Sequence, residues 1–112
     1  MKIKQIPYQP NYAVSELGDV YAIEPEGLKK LKQDISNGYP RVKLNGKKYY
    51  VSALVASEFM PVQPADNYKI FYIDGNHLNC AKDNLVWLDK SDIQRYSMFT
   101  PEYRRTILGE WA

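Results

Sequence analysis

Cysteine and histidine are almost absent from this 112-residue chain, which contains one of each, Cys80 and His77. A single cysteine excludes an internal disulfide and any zinc site built from several cysteines. This composition fits a reducing compartment, and we expect a cytoplasmic protein. Cys80 itself is interpreted as a small, partly buried residue.

Long apolar runs are also absent from the chain. No stretch approaches the roughly 18 apolar residues needed to span a bilayer. The N-terminal segment Met1–Pro10 contains two lysines and lacks the apolar core of a signal peptide. We therefore expect neither secretion nor insertion into a membrane.

An excess of charge of either sign is missing as well. The 15 Lys and Arg residues stand against 13 Asp and Glu residues, which gives a net charge of +2. Any affinity for nucleic acid must therefore come from local clusters of basic side chains. With 112 residues, 45% of them hydrophobic, the chain is long enough for one domain with a modest core.

Tyrosine, by contrast, is abundant, with ten residues. Its ring packs while its hydroxyl reaches water, which suits the half-buried strands of a small sheet. The alternative interpretation is a surface that stacks on a ligand or contacts a nucleic-acid groove.

Two β-hairpins are predicted in the N-terminal half of the chain. Gly18 can take the positive φ that a tight turn in the first hairpin requires. Asn45 and Gly46 both tolerate the left-handed conformation of a type I′ turn, and they are the strongest hairpin signal in the chain. The predicted strands are Tyr12–Ser15, Val20–Ile23, Tyr39–Leu44 and Lys47–Val51.

Helices are predicted after these hairpins. Apolar residues within 53–59 fall at helical spacing, Ser52 is an acceptable N-cap, and Pro61 ends the helix. We expect a buried core helix of about two turns. Near the C-terminus, Ser91 is predicted to cap a second helix and Pro101 to begin a third, which makes the tail helical.

The stretch Tyr68–Leu88 reads YKIFYIDGNHLNCAKDNLVWL. Its apolar strand, Lys69–Ile73, leads into a turn at Asp74 and Gly75. An Asn-rich loop follows and leads to Asn84, where we expect a short helix to begin. This order of strand, loop and helix start outlines a ββα nuclease site.

The order of its motifs makes the chain resemble the phage and intron-borne HNH homing endonucleases. These motifs are YAVSELGDVYAI, LKK, NGYPRVKL, NGKKYYV, ALVASEFM, IDGNHLN and DNLVWL, and they span Tyr12 to about Ile93. The resemblance implies an α+β fold in a single domain over residues 1–112. A β-hairpin-rich module (1–51) would precede an HNH-like, ββα-metal region (52–93) and a helical tail (94–112). It also implies a phage protein in the cytoplasm of a bacterial host.

In that family a histidine acts as the general base, and Asp or Asn side chains hold one Mg²⁺ or Mn²⁺ between strand and helix. The resemblance places the base at Tyr72 and metal ligands at Phe71 and Ile93. A phenol with a pKa of about 10 is a poor base at neutral pH, and apolar side chains cannot bind Mg²⁺. Asn84, which would orient the histidine, is retained. The resemblance therefore implies a degenerate site with no catalytic residue, metal or cofactor.

Two polar residues near these positions are weak candidates for chemistry. His77 lies five residues beyond the expected base. It is interpreted as a solvent-facing loop residue, with a relocated base or metal ligand as the alternative. Asp74 is interpreted as a cap for backbone N–H groups rather than as a sole metal ligand.

Basic residues cluster in the N-terminal half, on segments that the resemblance places against DNA. Lysine and arginine neutralise phosphates, and a two-stranded ribbon fits the major groove. The alternative is that these are solvated charges on edge strands, which discourage aggregation. The predicted DNA-contacting residues are Lys29, Lys30, Lys32, Arg41, Lys43, Lys47, Lys48 and Tyr49.

These patterns predict a catalytically degenerate HNH endonuclease-like protein that acts by binding DNA, or by binding a host protein as its inhibitor or regulator. The alternative is a divergent homing endonuclease that nicks or cleaves DNA with Mg²⁺ or Mn²⁺, using Tyr72, Asp74 or His77. A third interpretation is a protein-interaction module whose interface is formed by the tail from Ser91 and the exposed tyrosines.

Overall fold

A computed structural model describes residues 1–108 and confirms an α+β fold made of three antiparallel sheets and three helices. The last four residues of the predicted helical tail, 109–112, lie outside this description. The strands are β1 (Ile3–Ile6), β2 (Gln9–Ser15), β3 (Val20–Glu24), β4 (Gly27–Lys30), β5 (Asp34–Ser36), β6 (Tyr39–Leu44), β7 (Lys47–Tyr50), β8 (Tyr68–Tyr72) and β9 (Leu85–Asp89). The helices are α1 (Val51–Phe59), α2 (Lys90–Ser97) and α3 (Pro101–Leu108), and a single 3₁₀ turn (Lys82–Asn84) precedes β9.

The first sheet has the strand order β1-β2-β3-β4 and contains the first predicted hairpin. Strands β2 and β3 pair through Tyr12 with Ala22 and through Val14 with Val20. Gly18, with φ of 92°, lies in the turn between them. The first predicted hairpin is therefore confirmed.

The second sheet has the order β5-β6-β7 and contains the second predicted hairpin. Asn45 and Gly46 take φ values of 50° and 82°, as a type I′ turn requires. Val42 and Leu44 are buried, whereas Arg41 and Lys43 alternate with them on the opposite face of β6. One face of this sheet therefore packs on the core and the other faces away from it.

Helix α1 is the predicted core helix, but its N-cap is not Ser52. Strand β7 runs directly into α1, so the N-cap position falls on Tyr50, which makes no side-chain cap hydrogen bond. Ser52 lies in the first turn of the helix and is buried. The prediction of a Ser52 cap was wrong because it required a loop between β7 and α1, and no loop is present.

The third sheet is the hairpin of β8 and β9, which replaces the helix that was expected to begin at Asn84. Phe71 pairs with Val86 and Tyr72 pairs with Leu85. The run from Leu85 to Leu88 contains apolar residues that suit a strand buried on both faces. Pairing with β8 provides hydrogen-bond partners for its backbone N–H and C=O groups. The helix begins later, at Lys90, where the Asp89 carboxylate and not Ser91 caps it by accepting a hydrogen bond from the Ser91 N–H at 2.9 Å.

The β8–β9 hairpin lies between two hydrophobic clusters. The first cluster joins the N-terminal strands and α1 to one face of the hairpin, and the second joins its other face to α2 and α3. The first cluster contains Ile6, Val14, Val20, Val42, Leu44, Val51, Leu54, Val55, Tyr72, Cys80 and Leu85. The second contains Phe71, Ile73, Val86, Leu88 and Leu108, with Ile93, Tyr96 and Ile107 packed against it.

No helix within residues 1–108 has both the length and the apolar character required to cross a bilayer.

Truncation of Leu54 tests the first cluster. Leu54 is fully buried in α1, and Leu54→Ala removes apolar contacts and leaves a cavity. We expect a loss of about 2–5 kcal/mol in the free energy of unfolding, measured by urea denaturation. The control is Leu17→Ala, because Leu17 is 58% exposed and its truncation should change stability by less than about 0.5 kcal/mol. Equal losses in the two variants would contradict this packing.

Candidate functional site

The side chain of Asn84 organises the loop that joins β8 to β9, residues 74–84, which we call the Asp74 loop. Asn84 is only 1% exposed. Its Nδ2 donates to the Asp74 carboxylate at 2.9 Å and to the Asn79 carbonyl at 3.0 Å. Its Oδ1 accepts from the Asp74 N–H at 2.9 Å and from the Arg105 guanidinium at 3.2 Å. The retained Asn84 thus has its amide fully engaged within the protein.

The Asp74 carboxylate is held inside the same network. One oxygen accepts from the Asn76 N–H at 2.8 Å, and the other accepts from Asn79 Nδ2 at 2.9 Å. Partial burial raises the pKa of Asp74, but hydrogen bonds from Asn79, Asn76 and Asn84 outweigh burial and hold the pKa below its ordinary value. Asp74 therefore caps one backbone N–H of its turn, that of Asn76, and otherwise accepts from side-chain amides.

The positions where the resemblance expects metal ligands are filled by hydrophobic packing. Phe71 is buried in the second cluster, and Ile93 of α2 packs against that cluster. Mg²⁺ requires oxygen ligands, which neither side chain offers. Within residues 1–108, no three His, Cys, Asp or Glu side chains lie close enough together to hold a metal ion. The side chains at this place do not fit the metal that the HNH resemblance implies.

Tyr72 occupies the expected position of the general base. Burial raises the pKa of its phenol to about 12, although a hydrogen bond involving Ser52 lowers it in part. The phenol is consequently protonated at neutral pH and cannot accept a proton from water. The neighbouring Cys80 thiol, a free and buried group, also has its pKa raised by burial, to about 11.

A cleft of about 720 Å³ surrounds Phe71 and Tyr72. It follows the edge of β8 that pairs with no strand in the described part of the chain, since β8 and β9 form a two-stranded sheet. One wall comes from the second sheet and α1, through Tyr39, Tyr50 and Ser52. The opposite wall comes from α2 and α3, through residues that include Ile93 and Arg104.

His77 lines this cleft although it belongs to the Asp74 loop. The residue is exposed, yet its ring stacks on Tyr39 with a centroid distance of 4.6 Å and an angle of 11° between the planes. Its centroid also lies 5.0 Å from that of Tyr72. The interpretation of His77 as a solvent-facing loop residue therefore captured its exposure and missed its aromatic contacts.

Two arginines of α3 complete the site, and sequence reasoning did not place them there. Arg105 donates to the Asp83 carbonyl and to Asn84 Oδ1, both at 3.2 Å, and so ties α3 to the Asp74 loop. Arg104 is buried and lines the cleft. The sequence does contain a signal for the burial of Arg104. This residue precedes Leu108 by one helical turn and thus shares the apolar face of α3.

Three of the predicted DNA-contacting residues form ion pairs within the protein. Lys30 pairs with Asp19 at 3.3 Å. Arg41 and Lys48 pair with one carboxylate, that of Asp34, at 2.9 and 2.7 Å. Hydrogen bonds from Lys48 and Arg41 hold the pKa of Asp34 below its usual range. These cations are thus partly neutralised by their own protein.

Of the other predicted contacts, Lys29 lies on the first sheet, Lys43, Lys47 and Tyr49 lie on the second, and Lys32 lies between the two sheets. Tyr49 is half-buried, and its hydroxyl accepts a hydrogen bond from Gln9 Nε2 at 2.9 Å. Among the predicted contacts, the exposed lysines that form no ion pair within residues 1–108 are Lys29, Lys32, Lys43 and Lys47.

Comparison with known proteins identifies the fold. No protein-family model and no curated protein matches the chain. Among solved structures the chain is similar to the HNH homing endonuclease I-HmuI, in a structure that describes DNA binding and cleavage by that enzyme. The TM-score is 0.68 and the sequence identity is 28%. The match covers 96% of this chain and 66% of the endonuclease chain, so the present chain spans less than two thirds of it. The chain therefore has an HNH-type fold, as the resemblance predicted.

Removal of the Asn84 amide tests the network that holds the Asp74 loop. Asn84→Ala leaves the Asp74 N–H and the Asn79 carbonyl without their partner inside the protein, and we expect a loss of about 2–4 kcal/mol in the free energy of unfolding. Urea denaturation measures it. Asn11→Ala is the control because Asn11 is exposed on β2. If Asn84→Ala lost no more free energy of unfolding than Asn11→Ala, this result would contradict the network.

The lowered pKa of Asp74 predicts a defined pH dependence of stability. A carboxyl group whose pKa is lower in the folded state stabilises the fold above its unfolded pKa, near 3.8, and loses this contribution as pH falls through the folded pKa. The difference in unfolding free energy between the wild type and Asp74→Asn should therefore be largest near neutral pH and shrink below about pH 4. Urea denaturation across this range, with the exposed Asp66→Asn as the control, measures it. A difference that stays constant with pH would refute the assignment.

Proposed function

We propose that this protein binds DNA through its HNH-type fold and has lost metal-dependent cleavage. The observation that carries the proposal is the packing of Phe71 and Ile93 in the second cluster, where the resemblance expects metal ligands. The burial of Tyr72 at the expected position of the base supports it. A site of this kind keeps the shape of a nuclease and lacks the groups that activate water.

Two observations support DNA as the ligand. The endonuclease of similar fold is described as a protein that binds DNA. In this chain, Lys29, Lys32, Lys43 and Lys47 are exposed and form no ion pair within residues 1–108, so they are available to neutralise phosphates. Such binding would be sensitive to salt and largely independent of sequence.

A nicking assay on supercoiled DNA tests the loss of cleavage. We expect no conversion to nicked or linear DNA with Mg²⁺ or Mn²⁺, because the protein supplies neither the ligands nor the base. Robust cleavage that a chelator abolishes and that Asp74→Ala eliminates would overturn the proposal.

Charge removal tests the DNA-contacting lysines. In a mobility-shift or anisotropy titration with duplex DNA, the affinity should fall steeply as salt increases. The variant Lys43→Gln/Lys47→Gln should bind more weakly, and the slope of log affinity against log salt should decrease by about 2.

The matched control for this titration is Lys2→Gln/Lys90→Gln, which removes two exposed lysines outside the predicted set. This control should bind like the wild type. Equal weakening of both variants would contradict the predicted contacts. The absence of any DNA shift at low salt would contradict DNA binding itself and favour a protein partner, such as a host factor that the protein inhibits.

One observation favours a second candidate function, a divergent active nuclease. His77 lines the cleft, and its ring centroid lies 5.0 Å from that of Tyr72. Imidazole is a side chain that exchanges protons near neutral pH. His77 therefore lies in the cleft where it could act as the general base in place of the residue at position 72. If the nicking assay detects cleavage, His77→Ala should abolish it under this candidate function. Retained cleavage in His77→Ala would exclude His77 as the base.

A further inference from the structure

The cleft contains a buried cation with no anionic partner in the described part of the chain. Arg104 of α3 is 8% exposed, and its Nε has no hydrogen-bond partner among residues 1–108. Its guanidinium carbon lies 5.6 Å from the centroid of the Phe71 ring. Four ion pairs occur within residues 1–108, and Arg104 belongs to none of them.

A guanidinium in this position would be stabilised by an anion. The guanidinium of arginine carries a permanent positive charge in proteins. Burial removes water from the charge, and the Phe71 ring compensates for that loss only in part. An arriving anion would supply the missing electrostatic partner and a hydrogen-bond acceptor for the guanidinium.

The surroundings of Arg104 are suited to an anion. Lys69 of β8 lines the same cleft, and none of the described residues that line it is acidic. Gly75 lies beside the guanidinium. A Cβ atom at this position would be 3.5 and 3.6 Å from the two terminal nitrogens of Arg104. The glycine thus leaves open a space next to the guanidinium that any larger side chain would occupy.

The size of the cleft and the shape of arginine favour a phosphate group. The volume of about 720 Å³ exceeds that of a single oxyanion and admits part of a nucleic-acid backbone. The planar guanidinium binds phosphate through two parallel hydrogen bonds, and Lys69 adds a second positive charge.

We propose that Arg104 and Lys69 form a phosphate site in the cleft, which holds a backbone phosphate of bound DNA without a metal ion. This inference rests on the proposed DNA-binding function. It differs from the contacts of the N-terminal lysines because it assigns DNA to the cleft between the second sheet and α3. Arg104 supplies a fixed positive charge beside Phe71, where the resemblance expects a metal ligand.

The experiment compares duplex DNA binding by the wild type, Arg104→Gln, Arg104→Lys and Lys69→Gln in the presence of a chelator. Fluorescence anisotropy at constant salt should show a loss of about tenfold or more for Arg104→Gln and a smaller loss for Arg104→Lys, which retains charge but not the planar fork. Lys69→Gln should also weaken binding. Lys69 is exposed, so its replacement tests the site without disturbing the core.

The matched control is Arg95→Gln. Arg95 lies on α2, is exposed and pairs with Asp92 at 2.8 Å, so its replacement should change affinity by less than about twofold. Circular dichroism of each variant without DNA establishes that it is folded. If Arg104→Gln is unfolded, the DNA affinities of Arg104→Lys and Lys69→Gln, compared with that of the wild type, test the site.

A second readout uses inorganic anions alone. Sodium phosphate should raise the melting temperature of the wild type above its value in chloride at equal ionic strength, and should do so less for Arg104→Lys and Lys69→Gln. Acetate should have a smaller effect than phosphate. If acetate stabilises the wild type as strongly, the site accepts carboxylates of a protein and the phosphate assignment is overturned.

The outcomes separate this inference from the proposed function. Salt-sensitive DNA binding that is the same in the wild type, Arg104→Lys and Lys69→Gln would overturn the phosphate site and leave DNA binding intact. No DNA binding by the wild type, combined with stabilisation by phosphate that Arg104→Lys weakens, would overturn the proposed function and its DNA ligand while supporting an anion site in the cleft.

Discussion

The buried amide of Asn84 is the interaction on which the rest of this structure depends. It fixes the Asp74 loop from inside, through hydrogen bonds to Asp74 and Asn79. Through Arg105 it also anchors α3 to that loop. Because an unpaired amide in the interior is costly, the loop, the β8–β9 hairpin and the last helix must form together for these bonds to be made.

Phe71 and Ile93 show how a fold can retain its shape while its chemistry changes. A metal site needs polar ligands that stay incompletely satisfied until the ion binds. Such ligands lower the stability of the fold while the metal is absent. Here the two side chains join Ile73, Val86 and Leu108 in the second cluster, so they contribute apolar contacts to the packing of α2 and α3. The same positions thus hold the C-terminal helices on the hairpin.

Local patterns in the sequence predicted much of this fold. The turn at Asn45 and Gly46, the helical period after Ser52 and the proline at the start of α3 each act within a few residues, so they could be read directly. Strand β9 was missed because its identity depends on pairing with β8, which lies more than ten residues earlier in the chain. Tertiary contacts likewise determine the stacking of His77 on Tyr39, which no local pattern encodes.

The direct passage of β7 into α1 has a consequence for how this fold can be recombined. The second sheet ends at Tyr50 and the helix begins at Val51, without a connecting residue. A hairpin module transplanted from another protein would therefore have to bring its own version of α1, and with it one wall of the cleft. Exchange of modules between proteins of this fold should then succeed at the segment between α1 and β8, residues 60–67, which lies outside the helices and strands.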